Sequence, residues 1–128
     1  MSSSKPVVLV VEDDPIIRLG AVDLVENAGC EALEASDADK AIEILEARPD
    51  IRLVFTDIDM PGSMDGLKLS HYVRDRWPPI HIIVASGKAI IKESQLPSGA
   101  RFFPKPYMDE PIADAIASFF STDEGKSG

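Results

Sequence analysis

Five carboxylates, one hydroxyl and one ammonium stand in this 128-residue chain where apolar runs stop. Val7 to Val11 ends in Glu12-Asp13-Asp14. Leu53 to Thr56 ends in Asp57, with Asp59 two residues on. Ile80 to Ala85 ends in Ser86-Gly87. Arg101-Phe102-Phe103 is followed by Pro104 and Lys105. Each run reads as a short buried strand, and the carboxyl ends of strands in an open α/β sheet face the crevice where such sheets bind ligands. Several carboxylates in one crevice repel: two unit charges about 4 Å apart cost roughly 4 kcal/mol at an effective dielectric near 20. Either a carboxyl takes a proton or a cation enters. A hard, oxygen-seeking ion such as Mg²⁺ suits the donor set, with Asp13 and Asp57 as direct ligands and Glu12 acting through water. Lys105 adds a fixed positive charge and Ser86 a hydroxyl donor. The set describes a receptor for a phosphoryl group developing on Asp57, because a carboxylate can act as the nucleophile that forms an aspartyl phosphate. Positioning and charge neutralisation carry phosphoryl transfer, and these residues supply both.

The elements that position these residues follow from pattern. Val7-Val8-Leu9-Val10-Val11 has no polar alternation, as in a central parallel strand buried on both faces. Asp14 caps a helix from Pro15 to about Asn27, with Ile16, Leu19, Val22 and Val25 expected on one face and Gly29 ending it. Cys30 to Ala35 alternates apolar and acidic residues and reads as an edge strand. A second helix, capped by Ser36 or Asp37, carries Ala41, Ile42, Leu45 and Ala47 and stops at Pro49-Asp50. After Asp57, a turn through Gly62-Ser63-Met64-Asp65-Gly66 leads to a third helix from about Leu67 to Trp77, which Pro78-Pro79 terminates. Asp14 and Asp65 are read as caps. Lys88 to Ala100 should hold a fourth crossover helix, the weakest of the chain, cut short by Pro97-Ser98-Gly99 and weakened by Ile90-Ile91. A last helix runs from about Glu110 to Phe120, capped by Asp109. Five strands alternating with five helices imply one doubly wound α/β domain over 6–120, with flexible ends at 1–5 and 121–128.

Composition narrows the function. The formal net charge of −9, from 22 acidic and 13 basic residues, argues against nucleic acid as a partner, since a phosphate backbone needs a basic face. The single Cys30 excludes an internal disulfide and reads as a buried thiol. No apolar run reaches membrane-spanning length and the start is not a signal peptide, so a cytoplasmic location with no membrane partner is expected. His71 and His81 have no metal-ligand spacing. Trp77 reads as a packing anchor, and Tyr107 as core.

Val10-Val11-Glu12-Asp13-Asp14-Pro15, Asp57-x-Asp59-Met60-Pro61, Met64-Asp65-Gly66, Ala85-Ser86-Gly87 and Lys105-Pro106 together resemble the receiver domain of bacterial two-component response regulators, over nearly the whole of 7–120. The resemblance implies a flavodoxin-like five-stranded parallel sheet in the order 2-1-3-4-5. It implies that Asp57 accepts a phosphoryl group from a sensor histidine kinase or phosphotransfer protein in a Mg²⁺-dependent reaction. Glu12 and Asp13 would serve the Mg²⁺, helped by the backbone carbonyl of Asp59. Ser86 and Lys105 would contact the phosphoryl oxygens, and Lys105-Pro106 would be a cis peptide. Ser86 and Phe102 would be the switch pair. The chain would be a stand-alone signalling phosphoacceptor that catalyses only its own phosphorylation and dephosphorylation, acting on a downstream protein by contact. Three features depart from the common pattern: the turn from Pro61 to Gly66 is one residue longer, the switch aromatic Phe102 lacks a hydroxyl, and the fourth helix is truncated. Asp59 and Lys88, each two residues beyond a site residue, are expected to flank the phosphoryl group as an ion pair that modulates its lifetime.

A second class of function is an enzyme. Asp57-x-Asp59 after an apolar strand also resembles the nucleophile motif of haloacid-dehalogenase-type phosphatases. That motif normally opens its domain, whereas two strand units precede it here.

Overall fold

The computed structural model describes residues 5–60, 64–87 and 91–127, with side chains up to Ser121. In chain order the elements are β1 (Val7–Val11), α1 (Pro15–Asn27), β2 (Glu31–Ala35), α2 (Ala38–Ala47), β3 (Ile51–Asp57), α3 (Gly66–Arg76), β4 (His81–Ser86), β5 (Arg101–Pro104) and α4 (Asp109–Ser127). All five strands are parallel, in the order β2-β1-β3-β4-β5. β2 is an edge strand, as its alternating sequence implies, and only Ala35 of it is buried. No described helix is long and apolar enough to cross a membrane.

The sheet is packed on both faces, and the strand period of two sorts its side chains. Val7, Leu9 and Val11 of β1 face α2 and α3, in a core with Leu45, Leu69, Val73 and Ile82. Val8 and Val10 face α1 and α4, with Val25, Phe55, Ile83, Ile112 and Ile116. Cys30 is buried on that second face. β3 starts two residues earlier than its apolar run. Val7 pairs with Ile51 and Val8 with Leu53, so Arg52 is an extra residue in a bulge. The bulge turns Ile51 and Leu53 to opposite faces, and exposed Arg52 lays its guanidinium 5.1 Å from the centre of the Phe120 ring.

Caps anchor the helices at the carboxyl edge of the sheet. Asp14 accepts hydrogen bonds from the Ile16 and Ile17 amides, Asp37 from Lys40, and Asp65 from Lys68. Gly29 takes φ +90°, a conformation that lets the chain leave α1. The buried face of α1 is Ala21, Val22, Leu24 and Val25, while Ile16 and Leu19 are 81% and 61% exposed. The expected stripe fails because three-residue steps on a helix fall back about 60° each, so Val25 points about 180° from Ile16. At the other end of the chain, α4 starts at Asp109 itself and continues to Ser127.

The largest difference from expectation lies between β4 and β5. Lys88, Ala89 and Ile90 are outside the described residues, and 91–100 holds a single 3₁₀ turn, Glu93–Gln95, in place of a fourth crossover helix. Pro97 and Gly99, at φ +78°, prevent a longer helix. Side chains of α3 tie the segment down. His71 Nε2 meets the Gln95 carbonyl at 2.7 Å, and Arg74 Nε donates to the Ser98 carbonyl at 2.9 Å. Arg74 Nη1 also donates to the carbonyls of Pro78 and Ile80. Arg74→Ala strips three carbonyls of their donor and should cost about 1–3 kcal/mol. Hydrogen exchange of the Leu96 and Ala100 amides should quicken more than that of β1, with Arg74→Lys intermediate. Unchanged exchange in this segment would show that Arg74 does not hold it.

Candidate functional site

Strand register sets the site. Val11 pairs with Thr56, so Glu12 and Asp57 leave adjacent strands in step. Asp57 pairs with Ala85, which puts Ser86 one residue beyond it. Ser86 pairs with Pro104, which puts Lys105 one residue beyond that. The ladder extends past the strands through Glu12 N–H to the Ala35 carbonyl (3.0 Å), Ile58 N–H to Ala85 (2.8 Å) and Lys105 N–H to Ser86 (2.9 Å). Four adjacent strands thus deliver a carboxylate, a carboxylate, a hydroxyl and an ammonium to one crevice.

Glu12 (4% exposed), Asp57 (5%) and Ser86 (2%) are buried polar side chains. Lys105 Nζ lies 3.1 Å from Glu12 Oε1 and 3.0 Å from Asp57 Oδ1, and so bridges the two carboxylates. The contact to Glu12 is a hydrogen bond. The contact to Asp57 is a charge contact without hydrogen-bond geometry, which leaves Asp57 Oδ1 buried with no hydrogen bond among the described residues. Burial pushes the Asp57 carboxyl above its ordinary value, and Lys105 only partly opposes this. Burial likewise raises Glu12, against a hydrogen bond from the Asp14 amide and with the Asp57 charge adding to the rise. Burial works against the Lys105 ammonium, but Asp57 and Glu12 together outweigh it and hold its pKa above the usual lysine value.

Asp13 is exposed, and one carboxylate oxygen from each of Glu12, Asp13 and Asp57 falls within a 4.8 Å cluster. Three carboxylates around a buried oxygen without a hydrogen bond suit a hard divalent cation, which prefers oxygen donors and keeps some of its water. The residues therefore fit Mg²⁺, with Glu12, Asp13 and Asp57 as its side-chain partners. Asp59 has a different place: its Oδ2 accepts from Ser86 Oγ (2.9 Å) and from the Gly87 amide (3.1 Å). The expected ion pair of Asp59 with Lys88 falls on a residue outside the described ones. Phe102 is half-buried against the core beside α3, away from the carboxylate cluster, and Lys105-Pro106 is cis.

Two contributors escaped the sequence reading. Tyr107 lines the small pocket behind Asp57 and Lys105, its ring 5.7 Å from that of Phe55, and burial raises its phenol. Gly66, the first residue of α3, lies against the end of β3. A Cβ there would sit 1.9 Å from the Asp57 carbonyl oxygen and 2.8 Å from Ile58 Cα. Its own amide donates to the Ile58 carbonyl at 3.1 Å. The glycine stood in the Met-Asp-Gly motif, but only the packing shows what it is for.

Comparison with known proteins agrees with this geometry. The family model described as the response regulator receiver domain matches residues 8–117. The sensor kinase CckA of Brucella abortus is 33% identical over 118 residues, covering 89% of this chain and 12% of the kinase. The response regulator receiver protein CpdR of the same organism is 31% identical over 103 residues, covering 78% of this chain and 84% of that protein. Among solved structures, a CheY-like response regulator receiver domain protein from Methanospirillum hungatei superposes with a TM-score of 0.84 at 26% identity, covering 98% of this chain and all of that one. The chain spans between 12% and 51% of the length of the first five curated relatives it matches.

Two outcomes follow from the site's packing and charge. Gly66→Ala should lower the urea midpoint by the equivalent of about 1–3 kcal/mol, since backbone must move to admit the methyl. Gly20→Ala, on α1 where nothing lies within 4 Å of the added Cβ, should be neutral or stabilising by up to about 1 kcal/mol. Equal effects at both glycines would mean that the tight contact at Gly66 is not maintained.

The second outcome concerns the buried charge. Because the folded-state pKa of Asp57 is raised from 3.8, the folded protein holds this proton more tightly than the unfolded chain. Stability from this group falls as pH rises from the ordinary value through the folded one, and its full cost is felt above both. Without divalent cations, Asp57→Asn should therefore melt higher than wild type at pH 7, with the gap narrowing toward pH 4. A lower melting temperature for Asp57→Asn at pH 7 would show that Lys105 overcomes the burial cost.

Proposed function

This chain belongs to the response regulator receiver domain family, and from that premise we propose that Asp57 is its phosphoacceptor. The observation that carries the reading is a buried carboxylate, flanked by two more carboxylates and an ammonium, with one oxygen lacking a hydrogen bond among the described residues. Receiver domains are signalling phosphoacceptors. In the proposed reaction an Asp57 carboxylate oxygen attacks the phosphorus of a phosphohistidine on a sensor histidine kinase or phosphotransfer protein. The new O–P bond forms as the P–N bond breaks, and the electron pair leaves with the imidazole, which takes up a proton. Lys105 holds Asp57 in its ionised, attacking form and then faces the added phosphoryl oxygens. Glu12 and Asp13, with the Asp59 carbonyl, would hold Mg²⁺, which when bound neutralises phosphoryl charge. Ser86 supplies a hydroxyl donor at the neighbouring strand tip. Asp14 is committed to capping α1 and has no part in the transfer.

Partner docking is part of the same reading. Ile16, Ile17 and Leu19 on the first turns of α1, and Met108 after the cis proline, are large apolar side chains left in solvent. Ile17 and Gly20 share an open groove with Lys105, Pro106 and Tyr107, next to the phosphoacceptor. An apolar rim around a charged centre fits the helical surface that presents a phosphohistidine, because that surface must shed water while the donor enters. A downstream protein contacted by the phosphorylated form, and a cytoplasmic location, complete the reading. The phosphatase alternative has no observation in its favour beyond the Asp57-x-Asp59 spacing.

Phosphoramidate with Mg²⁺ should add a single phosphoryl group by intact mass, and Asp57→Asn should add none. EDTA should suppress the reaction. A phosphorylated Asp57→Asn protein would transfer the role elsewhere, and release of many equivalents from a phosphomonoester would favour an enzyme.

A further inference from the structure

Of the strand-tip carboxylates, Asp14 and Asp59 stand outside the Glu12, Asp13 and Asp57 cluster, and Asp14 is committed to capping α1. The Asp59 side chain reaches across to the end of β4 and takes two hydrogen bonds on a single oxygen, from the buried Ser86 hydroxyl and from the Gly87 amide. Both donors lie next to Asp57, whose partner on β4 is Ala85. Resting on the reading of Asp57 as phosphoacceptor, we propose that Asp59 is a latch: its carboxylate engages in advance the two donors that a phosphoryl group on Asp57 would claim.

The argument is one of proton supply. A hydroxyl has one proton to donate and a backbone amide has one. While both point at Asp59 Oδ2, neither can be aligned on a phosphoryl oxygen as well. Phosphorylation therefore becomes an exchange. The bonds from Ser86 and Gly87 to Asp59 break, bonds to phosphoryl oxygens form, and the Asp59 carboxylate turns to water. Asp59 is half-buried, so its released side chain can be hydrated without unfolding the loop. The tip of β4 has little room in the other direction: a Cβ on Gly87 would lie 3.3 Å from Lys105 Cβ. Among the described residues the exchange involves the Asp59 side chain and the two donors it holds. It opposes the phosphorylated state and holds β4 in its resting position until phosphate arrives. Asp59 acts through Ser86 and Gly87, as a positioning residue.

Beryllofluoride, a tetrahedral mimic of the phosphoryl group, tests this with Mg²⁺ on wild type, Asp59→Asn and Asp59→Ala. Asparagine keeps an acceptor oxygen but loses the charge, whereas alanine loses both. The latch predicts graded affinity, with Asp59→Asn tighter than wild type and Asp59→Ala tightest, by roughly three- to tenfold over wild type. Equal gains in the two variants would assign the effect to charge repulsion alone and overturn the latch. In a Ser86→Ala background the gain from Asp59→Ala should shrink; an undiminished gain would also overturn it. In the free protein the Gly87 amide proton resonance should move upfield in Asp59→Ala and less in Asp59→Asn, and an unmoved resonance counts against the latch. Wild type that binds beryllofluoride with the same affinity as both variants removes the latch but leaves Asp57 as acceptor. Wild type that neither binds it nor takes phosphate from phosphoramidate removes the reading of Asp57 itself, and the latch with it.

Discussion

One ammonium between two buried carboxylates is the contact on which the site depends. Lys105 bridges Glu12 and Asp57 at about 3 Å, at the point where three parallel strands end. Two buried anions and one cation leave a net negative charge in a medium that solvates it poorly. The fold does not fully satisfy this charge, since one Asp57 oxygen has no hydrogen bond among the described residues and both carboxyls are harder to ionise than usual. A site left short of positive charge in this way suits a divalent cation.

The rest of the molecule serves to hold the strand tips in step. Five wholly buried residues of β1 and six of the seven in β3 lock the central register through both faces of the sheet. A slip of one residue would turn Asp57 away from Glu12 and the core side chains to the wrong faces. Gly66 lets α3 begin in direct contact with the Asp57 main chain, which fixes that residue from behind. The β4–β5 side is built more lightly. There a 3₁₀ turn and hydrogen bonds from His71 and Arg74 replace a packed helix. The same side carries Ser86, Gly87 and Lys105, so the groups around Asp57 and Asp59 sit on the more lightly built half of the sheet.

Much of this was legible in the chain before any fold was known. The apolar runs, their acidic or basic ends and the turn residues located the parallel sheet, its central and edge strands and four of its helices, because buried parallel strands and capped helices impose local patterns. The same ends named Glu12, Asp13, Asp57, Ser86 and Lys105 as one crevice, because strand ends in such a sheet share an edge. Tertiary contacts decided the rest. The bulge at Arg52 depends on pairing with β1, and the exposed faces of Ile16 and Leu19 depend on how α1 seats on the sheet. The need for glycine at position 66 arises from backbone brought close across a turn. The attachment of Asp59 to Ser86 and Gly87 joins residues 27 and 28 positions apart. Local sequence records what each segment prefers. Which donor a given carboxylate meets is set by distances between segments, and those exist only once the sheet has closed its register.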